Sequence, residues 1–420
     1  MKLALPTFQF RFMATAGNVI FPGNFHPVGT QREIDLRVKG MEGASQPDPG
    51  AGGYWLLLGG SGGFGSGARL ALGLDRGAHT LSVSFDAQPD PVSSNKIRKI
   101  GSPGYHRNLA IERCLRRRGR IAASFNADAF DPTARARVVE AIREHFGGRK
   151  LDGLVWALAA PRAVDPRTGQ RLASAIKPLG QPTTVKTFSA KSGDEPARVV
   201  EFELQPGTPE DVIRTQFVMG GRIVEQWIEC LLTADVLAEG FTLLTVSYRG
   251  NPLTESIYRH GVIGLAKADL EYQTRALDAV LRARVGGRAI AIEGPAVVTE
   301  ASGGIPGVPF YLAMLPDVLC EGFEDPLMSM RRMFREHFGP GCEPQLDEEH
   351  LLRMDERELE PAIQAEMLRR YDALVVGDPF DAGLYDVFMR AYAQTRGFDV
   401  DGVDYQAPFD TETICDPCGI

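Results

Sequence analysis

The chain has 420 residues, 44% hydrophobic and 24% charged, an ordinary globular composition that excludes a wholly disordered chain. Lys plus Arg number 46 against 54 Asp plus Glu, a formal charge of −8, so the basic footprint of a nucleic-acid binder is absent. No apolar run approaches the roughly 20 residues of a membrane-spanning helix.

The opening MKLALPTFQFRFMATAG has a faint signal-peptide look, but Pro6, Gln9 and Arg11 interrupt its apolar run. A cytoplasmic enzyme starting at Met1, or at Met13, is expected. Residues 1–53 carry no strong periodicity, and Gly43–Gly53 reads as a loop. The apolar run Tyr54–Leu58 predicts a strand, followed by a glycine cluster and a helix over Ala68–Leu74. Thr80–Phe85 and Arg120–Asn126 predict two further strands. The basic run Arg113–Arg120 reads as the solvated end of a helix, with attraction of a phosphate-bearing ligand as the alternative. Thr133–Phe146 predicts a helix with Val138, Val139, Ile142 and Phe146 near one face. Leu151–Ala159 predicts a fourth strand. This alternation implies an α/β fold, a parallel sheet with helices on both faces. Residues 162–207 break the rhythm. A helix around Pro209–Leu237, a strand at Thr242–Tyr248, a helix from about Gly261 to Arg284 and a strand at Ala289–Glu293 come next. From about residue 310 the chain reads as mostly helical, with charged stretches at Met354–Glu360 and Ile363–Tyr371.

The six cysteines are too sparse for a disulfide framework and fit a reducing compartment. Cys415 and Cys418 form a C-x-x-C pair that cannot alone supply four zinc ligands, and it reads as a frayed tail. Asp399, Asp401 and Asp404 do not continue into a calcium loop and read as a solvated acidic turn. No metal site is expected.

The cluster Gly59-Gly60-Ser61-Gly62-Gly63-Phe64-Gly65 follows a strand and precedes a helix. Glycines there permit a tight turn and let the backbone approach a pyrophosphate, and the helix N-terminus offers free N–H groups. Asp86 ends the next strand, 21 residues after Gly65. An acid there accepts hydrogen bonds from ribose hydroxyls and repels a 2′-phosphate, which favours NADH over NADPH. Asp128, after the third strand, could cap the adenine pocket.

Tyr258 and Lys267 are nine residues apart. In one continuous helix they would face opposite ways, about 13 Å apart along the axis. They can meet only if Tyr258 precedes the helix on an irregular segment, which Gly261 and Gly264 allow. A phenol beside an ammonium is a good donor to a developing oxyanion; from the residues alone, a structural pairing is the preferred reading.

Several segments together resemble the trans-2-enoyl-CoA/ACP reductase family, an expanded branch of the short-chain dehydrogenases. Its Tyr-x8-Lys signature is matched by Tyr258 and Lys267. Ser247-Tyr248-x-Gly250, His26-Pro27-Val28-Gly29, the Gly59–Gly65 turn, Asn126-x-Asp128-Ala129-Phe130 and Lys177-Pro178-x-Gly180 are similar to its blocks. Val218-Met219-Gly220-Gly221, Val297-Val298-Thr299-x-Ala301-Ser302 and Gly402-Val403-Asp404-Tyr405 complete a series in matching order.

The resemblance implies one enlarged Rossmann-type domain over 1–420, a doubly wound parallel sheet, with 162–240 and 305–405 covering the substrate. It implies NADH as cofactor, an enoyl-CoA or enoyl-ACP substrate, no nucleic-acid partner and a monomer. By resemblance Tyr258 is the proton donor or oxyanion stabiliser, Lys267 contacts cofactor and assists it, and Tyr248 contacts the thioester. Gly59, Gly60, Ser61, Gly62, Gly63 and Phe64 would wrap the pyrophosphate and adenosine. Phe85, Asp86, Asp128, Ala129, Leu158, Ala159, Val297, Val298 and Thr299 would line the rest of the NADH site. His26 and His260 lie in similar blocks and read as structural.

Departures stand near the substrate side. The family's hydroxyl-bearing run after the fourth strand is here Trp156-Ala157-Leu158-Ala159-Ala160-Pro161, Glu255-Ser256 replaces Trp-Pro, and Glu300 replaces a Gln. They suggest an altered acyl substrate. Two alternatives are a reductase of the same fold acting on another unsaturated intermediate of specialised metabolism, and a non-catalytic nucleotide-binding scaffold.

Overall fold

The structure, a computed structural model, describes residues 1–13, 19–41 and 47–415. In chain order it runs β1 (Lys2–Leu3), β2 (Phe10–Met13), β3 (Val19–Pro22), α1 (Pro27–Gly40), β4 (Tyr54–Leu58), α2 (Gly63–Asp75), β5 (His79–Ser84), α3 (Pro103–Arg116), β6 (Ala122–Asn126), α4 (Pro132–His145) and β7 (Leu151–Trp156). Two hairpins follow, β8 (Arg162–Val164) with β9 (Arg171–Ala173) and β10 (Thr183–Phe188) with β11 (Val199–Leu204). Then come α5 (Pro209–Met219), α6 (Arg222–Thr233), β12 (Leu237–Ser247), α7 (Val262–Val285), β13 (Arg288–Glu293), α8 (Val308–Leu319), α9 (Pro326–His337) and β14 (Leu351–Arg353). The chain closes with α10 (Pro361–Ala373), α11 (Ala382–Gln394), β15 (Phe409–Asp410) and α12 (Thr411–Cys415).

Seven strands form one sheet in the order β14-β13-β12-β7-β4-β5-β6, and every neighbouring pair is parallel. The winding reverses between β4 and β7, the place where open α/β sheets bind ligands beyond their carboxyl ends. Residues of β4 alternate between two buried layers, as the pleat requires. Trp55 and Leu57 pack with Ile34 of α1, Leu70 of α2, Ile111 of α3 and Met330 of α9. Leu56 and Leu58 pack with Val138 of α4, Trp227 of α6 and Leu270 of α7. Burial on both faces is why this strand reads as an unbroken apolar run.

The expected doubly wound α/β fold is present, with several shifts at element ends. The strand expected to reach Ala159 stops at Trp156. The single helix expected over Pro209–Leu237 is two, because Gly220 and Gly221 turn the chain between α5 and α6. Asp269 of α7 accepts the Gly221 N–H at 2.9 Å and holds that turn in place. The silent stretch before residue 53 contains α1, whose buried face includes Gly29, Thr30 and Gln31 beside Ile34 and Val38. Little of that face is apolar, so the periodicity was weak. β14 adds an edge strand to a region that reads as helical.

His26 caps α1, its Nδ1 accepting the Gly29 N–H at 3.1 Å. Burial lowers its pKa to about 4, so the ring is neutral and structural. His260 lies exposed beside Glu255.

The basic run falls at the far side of the sheet from the carboxyl ends. Arg113 pairs with Asp35, Arg116 with Glu112 and with the Ala122 carbonyl that opens β6, and Arg120 with the Gly73 carbonyl. Cys415 ends α12 rather than fraying, and Tyr105 donates to its carbonyl at 2.9 Å. Cys418 and residues 43–46 of the expected loop lie outside the described residues. No described helix is long and apolar enough to cross a membrane.

Candidate active site

The glycine turn leaves β4 and opens α2. Gly59 takes φ of 91°, a left-handed conformation that a side chain disfavours. A Cβ on Gly65 would collide with the Gly59 carbonyl oxygen, so the helix can close onto the strand end only with glycine there. The α2 N-cap, Gly62, offers no side-chain cap, and the first N–H groups of the helix are free for an anion. Thr299 faces this turn, its methyl 3.4 Å from where a Cβ on Gly63 would stand. Its loop is closed by Ser302, whose hydroxyl accepts the Thr299 N–H at 2.9 Å and donates to the Val297 carbonyl at 3.1 Å.

Asp86 lies just past β5, and Phe85 beside it is 79% exposed. Ser84 and Ser102 donate to the Asp86 carboxylate at 2.7 and 3.1 Å. Ser102 is the N-cap of α3, so the acid is oriented by the helix start. Asp128 accepts the Phe130 N–H at 3.0 Å, while the Ala129 carbonyl accepts from the Trp227 indole at 2.9 Å. Leu158 and Ala159 lie on the exit of β7. Apart from Lys267, on α7, each cofactor-lining residue expected from sequence therefore follows one of the sheet strands at its carboxyl end.

Tyr258 lies on a run of turns before α7, the placement that a meeting with Lys267 would require. Gly250, at φ 82°, makes room for it, since a Cβ there would stand 2.8 Å from that of Tyr258. A Cβ on Gly264 would strike the Tyr258 carbonyl oxygen, so the first turn of α7 closes directly onto this segment. The Tyr258 ring meets the Tyr248 ring edge-on, centroids 4.7 Å apart at 88°. Around Tyr258 packs a third apolar cluster that includes Phe188, Ile257, Phe310 and Phe388. Among the described residues no group hydrogen-bonds the Tyr258 hydroxyl. Burial raises the pKa of both phenols, and the Glu358 charge adds to it; both stay protonated donors at neutral pH.

Lys267, buried on α7, donates to the Val246 carbonyl at 3.4 Å. Burial lowers its pKa, while Glu293 and Glu271 oppose that shift. Glu271 accepts from Ser247 and from Arg249, both at 2.8 Å, and so grips the strand end on either side of Tyr248. Burial and the neighbouring Glu271 carboxylate hold the Glu293 carboxyl above the usual range.

Sequence reasoning noted Glu300 only as a departure from the family and missed the role of four residues here. Arg107 of α3 donates to the Ser61 carbonyl and pairs with Glu300 at 3.0 Å, and Arg396 pairs with the same Glu300 at 3.3 Å. This tie joins the glycine turn to the loop after β13. The fourth is Glu358, 1% exposed. Burial pushes its carboxyl from 4.5 to about 7. A carboxyl raised on folding stabilises the fold fully below its unfolded value and loses that contribution as pH rises through about 7. Glu358→Gln should therefore gain stability relative to wild type between pH 5 and pH 8 in thermal melts, and a constant difference would contradict this account.

A glycine turn at the switch point of a Rossmann-type parallel sheet marks a dinucleotide-dependent oxidoreductase. Residues 99–338 match the model of the trans-2-enoyl-CoA reductase catalytic region, and residues 14–91 that of the NAD(P)H-binding domain of trans-2-enoyl-CoA reductase. The chain belongs to the trans-2-enoyl-CoA reductase family. It is 33% identical over 389 residues to an enoyl-[acyl-carrier-protein] reductase [NADH] of Pseudomonas fluorescens, covering 92% of this chain and 94% of that one. It is 31% identical over 404 residues to the trans-2-enoyl-CoA reductase [NADH] of Clostridium acetobutylicum, covering 94% and 96%. The crystal structure of the Clostridium reductase in complex with NADH superposes with a TM-score of 0.86 at 30% identity, covering 98% of this chain and 99% of that one.

Residues 346–409 match a model described as an enoyl reductase FAD-binding domain. The residues there do not fit a flavin dinucleotide. Between β14 and α10 runs Met354-Asp355-Glu356-Arg357-Glu358-Leu359-Glu360, which has no glycine turn and whose carboxylates would repel a pyrophosphate.

Proposed function

We propose that the chain reduces the C2–C3 double bond of a trans-2-enoyl thioester, carried on CoA or acyl carrier protein, with NADH, and works as a cytoplasmic monomer. The observation that carries this reading is the Tyr258 hydroxyl, protonated and without a hydrogen-bond partner among the described residues, its ring edge-on to Tyr248 beyond the sheet's carboxyl ends.

When bound, NADH supplies the hydride that the C3 carbon needs. The chain's residues hold the two reactants and manage charge and protons. The turn Gly59–Gly65 and the α2 N-terminus hold the pyrophosphate. Asp86 takes the adenosine ribose, and Phe85, Asp128, Ala129, Leu158, Ala159, Val297, Val298 and Thr299 line the remaining dinucleotide surface. Lys267 binds the cofactor from α7. As negative charge builds on the thioester oxygen, the Tyr258 and Tyr248 hydroxyls face it as donors. Segments 162–240 and 305–405, which contribute Phe188, Phe310 and Phe388 to the apolar cluster that also holds Tyr258, cover the substrate and keep water away from it.

The run after β7 supports an altered acyl specificity, because Ala157-Leu158-Ala159-Ala160 carries none of the family's hydroxyls. NADH oxidation followed with crotonyl-CoA and then longer trans-2-enoyl-CoAs tests the proposal; NADH binding without turnover on any chain length would sink it in favour of a scaffold. For Asp86→Ser, use of NADPH relative to NADH should rise by about tenfold or more, the weight of one lost charge repulsion. An unchanged ratio would remove Asp86 from the ribose site.

A further inference from the structure

Tyr248 can help an oxyanion only if its single hydroxyl proton points at the substrate. A phenol oxygen both donates and accepts, so something must fix which it does. Asn251 follows Tyr248 by one turn of chain, and its Oδ1 accepts the Leu253 N–H at 3.1 Å. That bond settles the amide orientation, so Nδ2 faces the other way with two hydrogens. One lies toward Glu358 Oε1 at 3.3 Å, the other toward the Tyr248 hydroxyl oxygen at 3.4 Å. An amide nitrogen only donates, so Asn251 donates in both directions whatever the protonation of Glu358. The Tyr248 oxygen is thereby an acceptor toward Asn251, and its own proton is left for the substrate.

Glu358 is itself fixed from several sides. Its Oε2 accepts the Ala296 N–H at 2.6 Å, and its Oε1 accepts the Tyr311 hydroxyl at 2.8 Å. Ala296 immediately precedes Val297 of the loop that faces the glycine turn. One buried side chain thus joins the loop after β12 to the loop after β13.

We propose that Glu358, acting through Asn251, is a positioning residue that makes the Tyr248 hydroxyl a donor to the thioester oxygen of the substrate. The proposal rests on the enoyl-thioester reductase reading above. It adds no step to the reaction; it sets the direction of one hydrogen bond. Glutamine at 358 keeps the shape but has one carboxamide oxygen, which cannot serve both Ala296 and Asn251. The Asn251 amide then loses its anchor, and Tyr248 is free to turn its proton inward.

The test is a double-mutant cycle on crotonyl-CoA at saturating NADH, with NADH affinity measured by fluorescence. Glu358→Gln and, separately, Asn251→Ala should each lower kcat by about 10- to 100-fold, the range for losing one aimed donor. The NADH Kd should stay within about twofold, since neither residue is placed on the dinucleotide surface. Adding either change to Tyr248→Phe should cost nothing further. Wild-type kcat in both single variants, or losses that multiply with Tyr248→Phe, would overturn the positioning role. If Tyr248→Phe alone is as active as wild type, the role of Tyr248 falls and this inference with it. Absence of turnover in the wild type would instead count against the reductase reading itself.

Discussion

Tyr258→Phe is expected to lower kcat on an enoyl-CoA by about 10²- to 10⁴-fold, the span seen when a positioned proton donor is removed. The change deletes one oxygen and leaves the ring. The edge contact with Tyr248 and the apolar packing around Ile257 and Phe310 persist. The hydroxyl has no protein partner among the described residues, so its loss orphans nothing and should leave stability nearly unchanged. Affinity for NADH should move by no more than about twofold, because the turn that holds the dinucleotide is elsewhere. Steady-state kinetics with a parallel binding titration would check this. Near wild-type kcat in Tyr258→Phe would show that another group meets the developing charge.

Gly65→Val is expected to weaken NADH binding by about 10- to 100-fold or more. Charge-assisted hydrogen bonds are worth about 1.5–3 kcal/mol each, and tenfold is about 1.4 kcal/mol. A Cβ at this position meets the Gly59 carbonyl oxygen rather than a movable side chain, so α2 must shift off the strand end. The N–H groups of its first turn would then miss the pyrophosphate. The same shift disturbs Leu70 and Ala71 in the layer beneath, so the melting temperature should fall too. A titration of NADH fluorescence against Gly65→Val checks the binding. Unchanged affinity would mean that the dinucleotide does not lie on this turn.

How much of this was legible beforehand follows from how local each signal is. β4 and its glycine turn are local. Five apolar residues followed by glycines have few other physical meanings, and the strand fell where the sequence placed it. Tyr258 and Lys267 were visible as residue types, but their helical spacing argued against a meeting. The conformations of Gly250 and Gly264, which seat the turn segment of Tyr258 beside the start of α7, depend on contacts that no periodicity encodes. The helix α1 escaped because its inward face is built from Gly29, Thr30 and Gln31, which pack closely without an apolar stripe. Glu358 escaped for a deeper reason. It stands in a run of acidic residues that looks solvated, and only the tertiary arrangement turns this one carboxylate inward toward Tyr311, Asn251 and Ala296. The tie of Arg107 and Arg396 to Glu300 spans equally distant parts of the chain.

The most direct measurement is mass spectrometry of the product formed from an enoyl-CoA with NADH deuterated at the transferred position. The account predicts the saturated acyl-CoA with one deuterium on C3 and a solvent proton on C2, and loss of this product in Tyr258→Phe. Deuterium on the former thioester carbon, or NADH bound with no labelled product at any chain length, would contradict it.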